Sequence, residues 1–153
     1  MNLNQCSNRH CNNNITFGKL LGQGSFGLVY EGKINNEKIA IKELPFIETI
    51  ENHKIKKYSG MFGQSKDKSK IEIEILQNLN NNIVPELLQY WETPRCMFLA
   101  LEFLYPVKWT ELSKRDYQHF ISIFDILSNK FIVYTDFNEN NFMRSNKNNH
   151  IKI

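Results

Sequence analysis

The sequence predicts an α+β fold, in which an antiparallel sheet of five strands carries one helix and a mainly helical part follows. Two alternating apolar segments flank a glycine-rich turn near the start of the chain, which is typical of a β-hairpin. Apolar residues at helical spacing occur twice, after the third strand and again at residues 117–129. With 153 residues, the chain is long enough to bury a substantial core.

The glycine-rich turn is the most informative stretch. Gly22, Gly24 and Gly27 have the spacing G-x-G-x-x-G, and Val29 extends it to G-x-G-x-x-G-x-V. A dinucleotide-binding turn of this spacing opens directly into a helix. Here β-branched and aromatic residues follow and lead to a two-residue turn at Asn35-Asn36, so the glycines join two antiparallel strands. Such glycines let the backbone close over phosphate groups.

The third predicted strand, residues 38–43, carries a lysine among apolar residues. Lys42 follows Ala40 and Ile41 directly. A charged group in such a strand requires an anionic partner, and a phosphate is a suitable one.

A helix is predicted after a polar, lysine-containing segment at residues 48–70. Ser65 is its expected N-cap, since a serine hydroxyl can accept a hydrogen bond from the first turn. Its expected apolar face follows helical spacing and consists of Ile71, Ile75, Leu76 and Leu79.

Two further strands, at residues 87–91 and 97–103, complete the five-stranded sheet. Residues 117–129 form a second predicted helix, whose apolar positions cover a broad arc. Such a helix needs cover on two sides, so we expect more polypeptide or a partner to pack against it. A short strand at 131–133 and a hairpin within 142–153 are predicted last.

Together these segments resemble the eukaryotic-type protein kinase family. The glycine-rich hairpin and residues 39–42 are similar to its Gly-rich loop and its V-A-I-K strand. Residues 72–79 are similar to its helix pattern E-x-x-I-L-x-x-L, which implies that Glu72 is the ion-pair partner of Lys42. Glu74 lies about 200° further round the helix and is expected to face away. The resemblance implies a five-stranded antiparallel small lobe with one helix plus an incomplete, mainly helical large lobe.

Residues 134–142 resemble the catalytic loop H-R-D-x-x-x-x-N of the same family. The resemblance makes Asp136 the base that accepts the proton of a substrate hydroxyl, and Asn141 a magnesium ligand. Tyr134 and Thr135 replace the usual histidine and arginine, so control through a phosphorylated activation loop is not expected. Asn138 stands where serine/threonine kinases usually carry lysine, which weakens the preference for serine/threonine over tyrosine substrates.

The resemblance also implies that the chain binds ATP and Mg²⁺. Lys42 would orient the phosphates, Leu101 would be the gatekeeper, and residues 102–104 would form the hinge whose backbone binds adenine. The residues expected to contact the nucleotide are Leu21, Gly22, Gly24, Ser25, Phe26, Gly27, Val29, Ala40, Lys42, Leu101, Glu102, Leu104 and Met143.

The expected domains are a disordered polar tail at residues 1–14, the small lobe with the hinge at 15–104, and a partial large lobe at 105–153. The net charge of +3, from 19 basic and 16 acidic residues, is too small to predict a nucleic-acid or membrane partner. The Asn-rich start lacks the apolar core of a signal peptide, and three cysteines, an odd number, predict no disulfide framework. We therefore expect a cytoplasmic protein, with a nuclear location left open.

Three functions remain open from the sequence. The first is transfer of the γ-phosphate of ATP to protein Ser/Thr hydroxyls, with Lys42, Glu72, Asp136 and Asn141 as the catalytic set. The chain ends at Ile153, before the D-F-G motif of the family, so we expect transfer to be impaired in this truncated chain. The alternative is a catalytically inactive kinase-like binding module, a pseudokinase, that docks on another kinase or its partners. A phosphotransferase that acts on small molecules shares the same loop chemistry.

Overall fold

The computed structural model describes residues 14–24, 26–51, 54–57, 63–135 and 138–153. In chain order, its helices and strands are β1 (Ile15–Gln23), β2 (Leu28–Ile34), β3 (Glu37–Pro45), β4 (Glu48–Glu51), β5 (Lys54–Lys57), α1 (Lys66–Asn78), β6 (Leu87–Glu92), β7 (Cys96–Glu102), β8 (Leu104–Pro106), α2 (Lys114–Asn129), β9 (Met143–Ser145) and β10 (Ile151–Lys152). The fold is α+β, as predicted. The chain divides into two compact units, which are Met1–Asn78 with Leu87–Glu102, and Leu79–Glu86 with Phe103–Ile153.

A five-stranded antiparallel sheet forms the basis of the first unit. Its strand order is β1-β2-β3-β7-β6, and each neighbouring pair is antiparallel. Asn35 and Asn36 join β2 to β3 with φ angles of 49° and 68°, which a two-residue turn between twisted strands requires. The predicted sheet and the predicted hairpin turn are both confirmed.

Aromatic rings cover one face of this sheet. The ring of Phe17 lies edge-on to those of Tyr30, Trp91 and Phe98, at centroid distances of 5.8, 6.3 and 5.9 Å. Trp91 and Phe98 stack on each other at 5.1 Å. Because side chains alternate along a strand, Lys42 of β3 points to the opposite face from its buried neighbour Ile41.

The predicted apolar face of α1 is only partly right, since Leu76, and Leu79 just beyond the end of the helix, are buried as predicted. Ser69, Ile73 and Leu76 are buried at helical spacing, whereas Ile71 and Ile75 are 52% and 38% exposed. Isoleucine alternates with glutamate along this stretch, so isoleucines occur on more than one face of the helix. Ser69 is the fully buried residue of this face in the first turn of the helix.

The segment between β3 and α1 contains a hairpin, in which β4 pairs with β5, where the sequence predicts only a polar segment. These short strands are rich in lysine and glutamate and carry little apolar alternation, so they give a weak signal. Ser65 then accepts a hydrogen bond from the backbone N–H of Lys68 (3.3 Å), as predicted for a cap of α1.

The second unit joins α2 to a three-stranded sheet with the order β10-β9-β8. A capping box begins α2, because Ser113 and Asp116 each accept a hydrogen bond from the other's backbone N–H. Phe142 and Ile151 are buried against a group of apolar side chains that includes Phe120. The predicted second helix and the predicted final hairpin are confirmed. No helix within the described ranges is long and apolar enough to cross a membrane.

Two further predictions are wrong. Residues 131–133 form no strand, because the backbone N–H groups of Phe131 and Ile132 donate to the carbonyls of Ser128 and Leu127 and so close the end of α2. Phe131 takes a φ of 57° there and is 96% exposed. Cys96 is disulfide-bonded, whereas the sequence predicts a chain without a disulfide framework.

An ion pair joins α2 to β9 within the second unit. The guanidinium of Arg144 lies 3.0 Å from the carboxylate of Asp116, whose side chain is only 11% exposed. The hydrogen bond from Arg144 lowers the pKa of Asp116 from 3.8 to about 2, against an opposing effect of burial and with further help from Ser113.

We predict that this pair makes the free energy of unfolding depend on pH in the acid range. Because the folded-state pKa lies below the unfolded-state value, the stabilisation is complete above about pH 5 and is lost as the pH falls through about 2. The difference in unfolding free energy between wild type and Asp116→Asn should shrink by about 2 kcal/mol between about pH 5 and pH 2. Urea unfolding at each pH measures this difference, and a constant difference would contradict the prediction.

Candidate functional site

The glycines of the turn between β1 and β2 differ in how much space surrounds them. The N–H of Gly24 donates to the carbonyl of Gly27 (2.9 Å) and closes the turn. A Cβ on Gly27 would lie 2.1 Å from the carbonyl oxygen of Glu43, so the turn can approach β3 only with glycine at this position. A Cβ on Gly22 or Gly24 would meet no described atom within 4 Å, so these two glycines border open space.

Cross-strand pairing places several predicted nucleotide-binding residues on one face of the sheet. Gly22 lies opposite Val29, and Val29 lies opposite Lys42. Two residues further along, Ala40 lies opposite Leu101. Directly paired residues of antiparallel strands point to the same side, so these five residues share one face. It is the face opposite to the aromatic core.

Lys42 and Glu72 form an ion pair on that face. The Nζ of Lys42 lies 2.6 Å from Oε1 of Glu72, which stands 30 residues further along the chain. Their side chains are 29% and 26% exposed, so the charges are partly shielded from water and still reachable by a ligand. Glu74 is exposed, as expected. The structure thus forms the ion pair that the resemblance implies, while the catalytic role of the two residues stays a prediction.

Gln64 is a third polar residue beside this pair, and the sequence did not single it out. Its Nε2 lies 3.4 Å from Oε2 of Glu72 and 3.1 Å from Oγ of Ser69. A lone glutamine in a polar segment has no periodic or motif signal. The position of Gln64, directly before the predicted cap Ser65, is the one sequence feature that places it near the helix.

Packing and hydrogen bonds anchor the segment of the predicted catalytic loop in the second unit. The ring of Tyr134 lies 6.1 Å from that of Phe142 and 6.4 Å from that of Phe124. Tyrosine at the position where the family carries histidine therefore adds to an apolar core. The carboxylate of Glu139 accepts a hydrogen bond from the backbone N–H of Trp109 (2.7 Å), which ties the loop to a neighbouring segment.

A single 3-10 turn, Glu139–Asn141, holds the predicted metal ligand. The side chain of Asn138 caps this turn by accepting from the N–H of Asn140 (3.0 Å). The N–H of Asn141 donates to the carbonyl of Asn138 (3.1 Å), which fixes the backbone from which the Asn141 amide projects. Asp136, the predicted base, lies outside the described residues.

The remaining predicted nucleotide contacts are divided between the two units. Leu21 and Phe26 are exposed in the first unit, where Glu102 is buried at the end of β7. Leu104 and Met143 belong to the sheet of the second unit. Leu104 pairs with Ser145, and Met143 pairs with Pro106 on one side and Lys152 on the other. Ser25 lies outside the described residues. The roles of these residues as nucleotide contacts stay predictions.

The chain is similar in sequence to serine/threonine protein kinases. It is 32% identical over 151 residues to serine/threonine-protein kinase 33 of Bos taurus, a match that covers 84% of this chain and 26% of the relative. It is 32% identical over 92 residues to a probable serine/threonine-protein kinase of Dictyostelium discoideum, with coverage of 59% and 18%. Serine/threonine-protein kinase 33 of Mus musculus is 30% identical over 99 residues, with coverage of 57% and 16%.

The matched relatives are much longer than this chain, which spans at most 26% of their length. No protein-family model matches the chain. The similarity therefore indicates a kinase-like relationship over 57–84% of this sequence.

We predict that Gly27→Ala lowers the unfolding free energy by about 1–3 kcal/mol, because the new methyl group would overlap the Glu43 carbonyl and push β2 away from β3. Gly22→Ala is the matched control and should change it by less than about 0.5 kcal/mol, since no described atom lies within reach of its methyl group. Urea unfolding of both variants measures the effect. Equal losses in the two variants would contradict the packing role of Gly27.

Proposed function

We propose that the chain is an ATP-binding protein kinase-like domain that transfers the γ-phosphate of ATP to serine or threonine hydroxyl groups of proteins. The Lys42–Glu72 ion pair carries this proposal. A strand lysine held by a helix carboxylate, beside a glycine-rich turn, is the arrangement with which protein kinases position the phosphates of ATP. Similarity to serine/threonine protein kinases supports the same assignment.

The fit to a nucleotide rests on charge and on space. Glu72 fixes the Lys42 ammonium group, which binds the phosphates and offsets their negative charge. Gly22 and Gly24 border open space, so the backbone of the turn can approach the phosphates without a side chain in the way. Val29 contributes an apolar side chain to the same face of the sheet, where it contacts the nucleotide in this proposal.

Two residues of the second motif complete the proposed chemistry. Asp136 accepts the proton of the substrate hydroxyl, an assignment that rests on the motif alone. Asn141 would hold magnesium through its side-chain oxygen, and the ion would supply positive charge to offset that of the phosphates. A protein substrate and a cytoplasmic or nuclear location belong to the same proposal.

We predict that Lys42→Met weakens binding of MgATP at least about tenfold, because the charge-assisted bond to the phosphates is lost. Lys38→Met is the matched control, since Lys38 lies on the same strand and pairs instead with Glu31. Isothermal titration calorimetry on the full chain measures both affinities. Absence of MgATP binding by the wild-type chain, or an equal loss in both variants, would refute the proposal.

A second candidate is a noncatalytic kinase-like module that docks on another kinase. An apolar cavity of about 240 Å³ on the surface of α2 favours it, and its lining includes the exposed side chains of Trp109, Tyr117 and Ile121. Apolar surface of this kind commonly marks an interaction site. A stable complex with a purified serine/threonine kinase in analytical ultracentrifugation, together with no MgATP binding, would favour this candidate.

A further inference from the structure

We propose that Gln64 is a positioning residue that holds Glu72 in contact with Lys42. Its effect on nucleotide binding rests on the proposed function, whereas its effect on the ion pair does not. Three features suit Gln64 to this role: its backbone is attached to the end of β3, its side chain is buried, and its amide contacts α1.

The backbone of Gln64 is attached to the strand that carries Lys42. The N–H of Gln64 donates to the carbonyl of Pro45 (3.1 Å), and the N–H of Ile47 donates to the carbonyl of Gln64 (3.2 Å). Gly63 permits this approach, because it has a φ of 149° and a Cβ there would lie 2.4 Å from the Pro45 oxygen. The main chain at Gln64 is therefore fixed relative to β3, three residues beyond Lys42.

The side chain of Gln64 points at the helix that carries Glu72. It is only 8% exposed, and its Nε2 lies within hydrogen-bonding distance of both Ser69 and Glu72. These two residues are three apart in α1 and therefore lie on one face of the helix. The hydroxyl of Ser69, which is fully buried, donates to the carbonyl of Ser65 (3.3 Å) and so accepts from Gln64. The amide thus has a defined orientation.

The carboxylate of Glu72 is held through both of its oxygens. Oε2 faces the amide of Gln64, and Oε1 faces the ammonium group of Lys42. Because Gln64 is attached to β3, its amide and Lys42 hold Glu72 from two points on the same strand. Loss of the amide leaves Glu72 free to rotate about its side-chain bonds, so Lys42 spends less time paired.

The test is the reactivity of Lys42 in Gln64→Met, a substitution that keeps the side-chain length and removes the donor. The full chain is labelled with acetic anhydride without nucleotide, and acetylation of Lys42 is quantified by peptide mass spectrometry relative to Lys38. We expect labelling of Lys42 to rise about two- to tenfold, as loss of one hydrogen bond of typical net strength implies. Gln77→Met, at an exposed position of the same helix, should change nothing.

Further variants separate positioning from a purely structural role. Glu72→Gln sets the upper limit of Lys42 labelling, and Gln64→Asn, whose shorter amide cannot reach Glu72, should match Gln64→Met. A structural role would lower the unfolding free energy and leave Lys42 labelling in the folded protein unchanged. Unchanged labelling in both Gln64 variants, with a rise in Glu72→Gln, would overturn the proposal.

Binding of MgATP provides a separate readout. Its affinity should fall in Gln64→Met by a factor similar to the rise in Lys42 labelling, and stay unchanged in Gln77→Met. If the wild-type chain binds no MgATP, the proposed function fails, while the labelling result still decides the role of Gln64.

Discussion

The charge of Lys42 is the constraint on which the arrangement of the first unit depends. Lys42 lies on a central strand, and its side chain is only 29% exposed. An ammonium group in such a place is costly without an anionic partner. Glu72 supplies that partner from α1, so the helix has to present this residue to the sheet. The burial of Ile73 and Leu76 supports the same position of the helix through apolar packing.

The register of the sheet links this ion pair to the glycine-rich turn. Val29 of β2 lies between Gly22 and Lys42 in one row across three strands. Gly27 lets the turn approach β3 at Glu43, the residue next to Lys42. A shift of one residue between β2 and β3 would move Val29 to the other face and separate the turn from the lysine. The same pairing that builds the sheet therefore assembles the proposed phosphate site.

Much of the fold could be predicted because it depends on local patterns. Alternating apolar residues and the Asn35-Asn36 turn specified the sheet, and the helical spacing near α2 specified that helix. The strand predicted at residues 131–133 is wrong, because a short apolar run is also compatible with the end of a helix. The backbone N–H groups of Phe131 and Ile132 donate to carbonyls of α2 instead of to a neighbouring strand. The buried face of α1 was ambiguous from the sequence, since isoleucines lie on more than one face and the contacts that select one are long-range.

The candidate site was predictable where it followed a motif and unpredictable where it depended on tertiary contact. Gln64 belongs to the second kind, because its partners lie on β3 and α1 and no spacing rule connects them. The most direct measurement of the central claim is covalent labelling with an acyl-phosphate derivative of ATP, which acylates a lysine beside the bound phosphates. Peptide mass spectrometry should find the label on Lys42, and excess ATP should prevent it. Labelling that is distributed over other lysines, or that excess ATP does not reduce, would contradict the account.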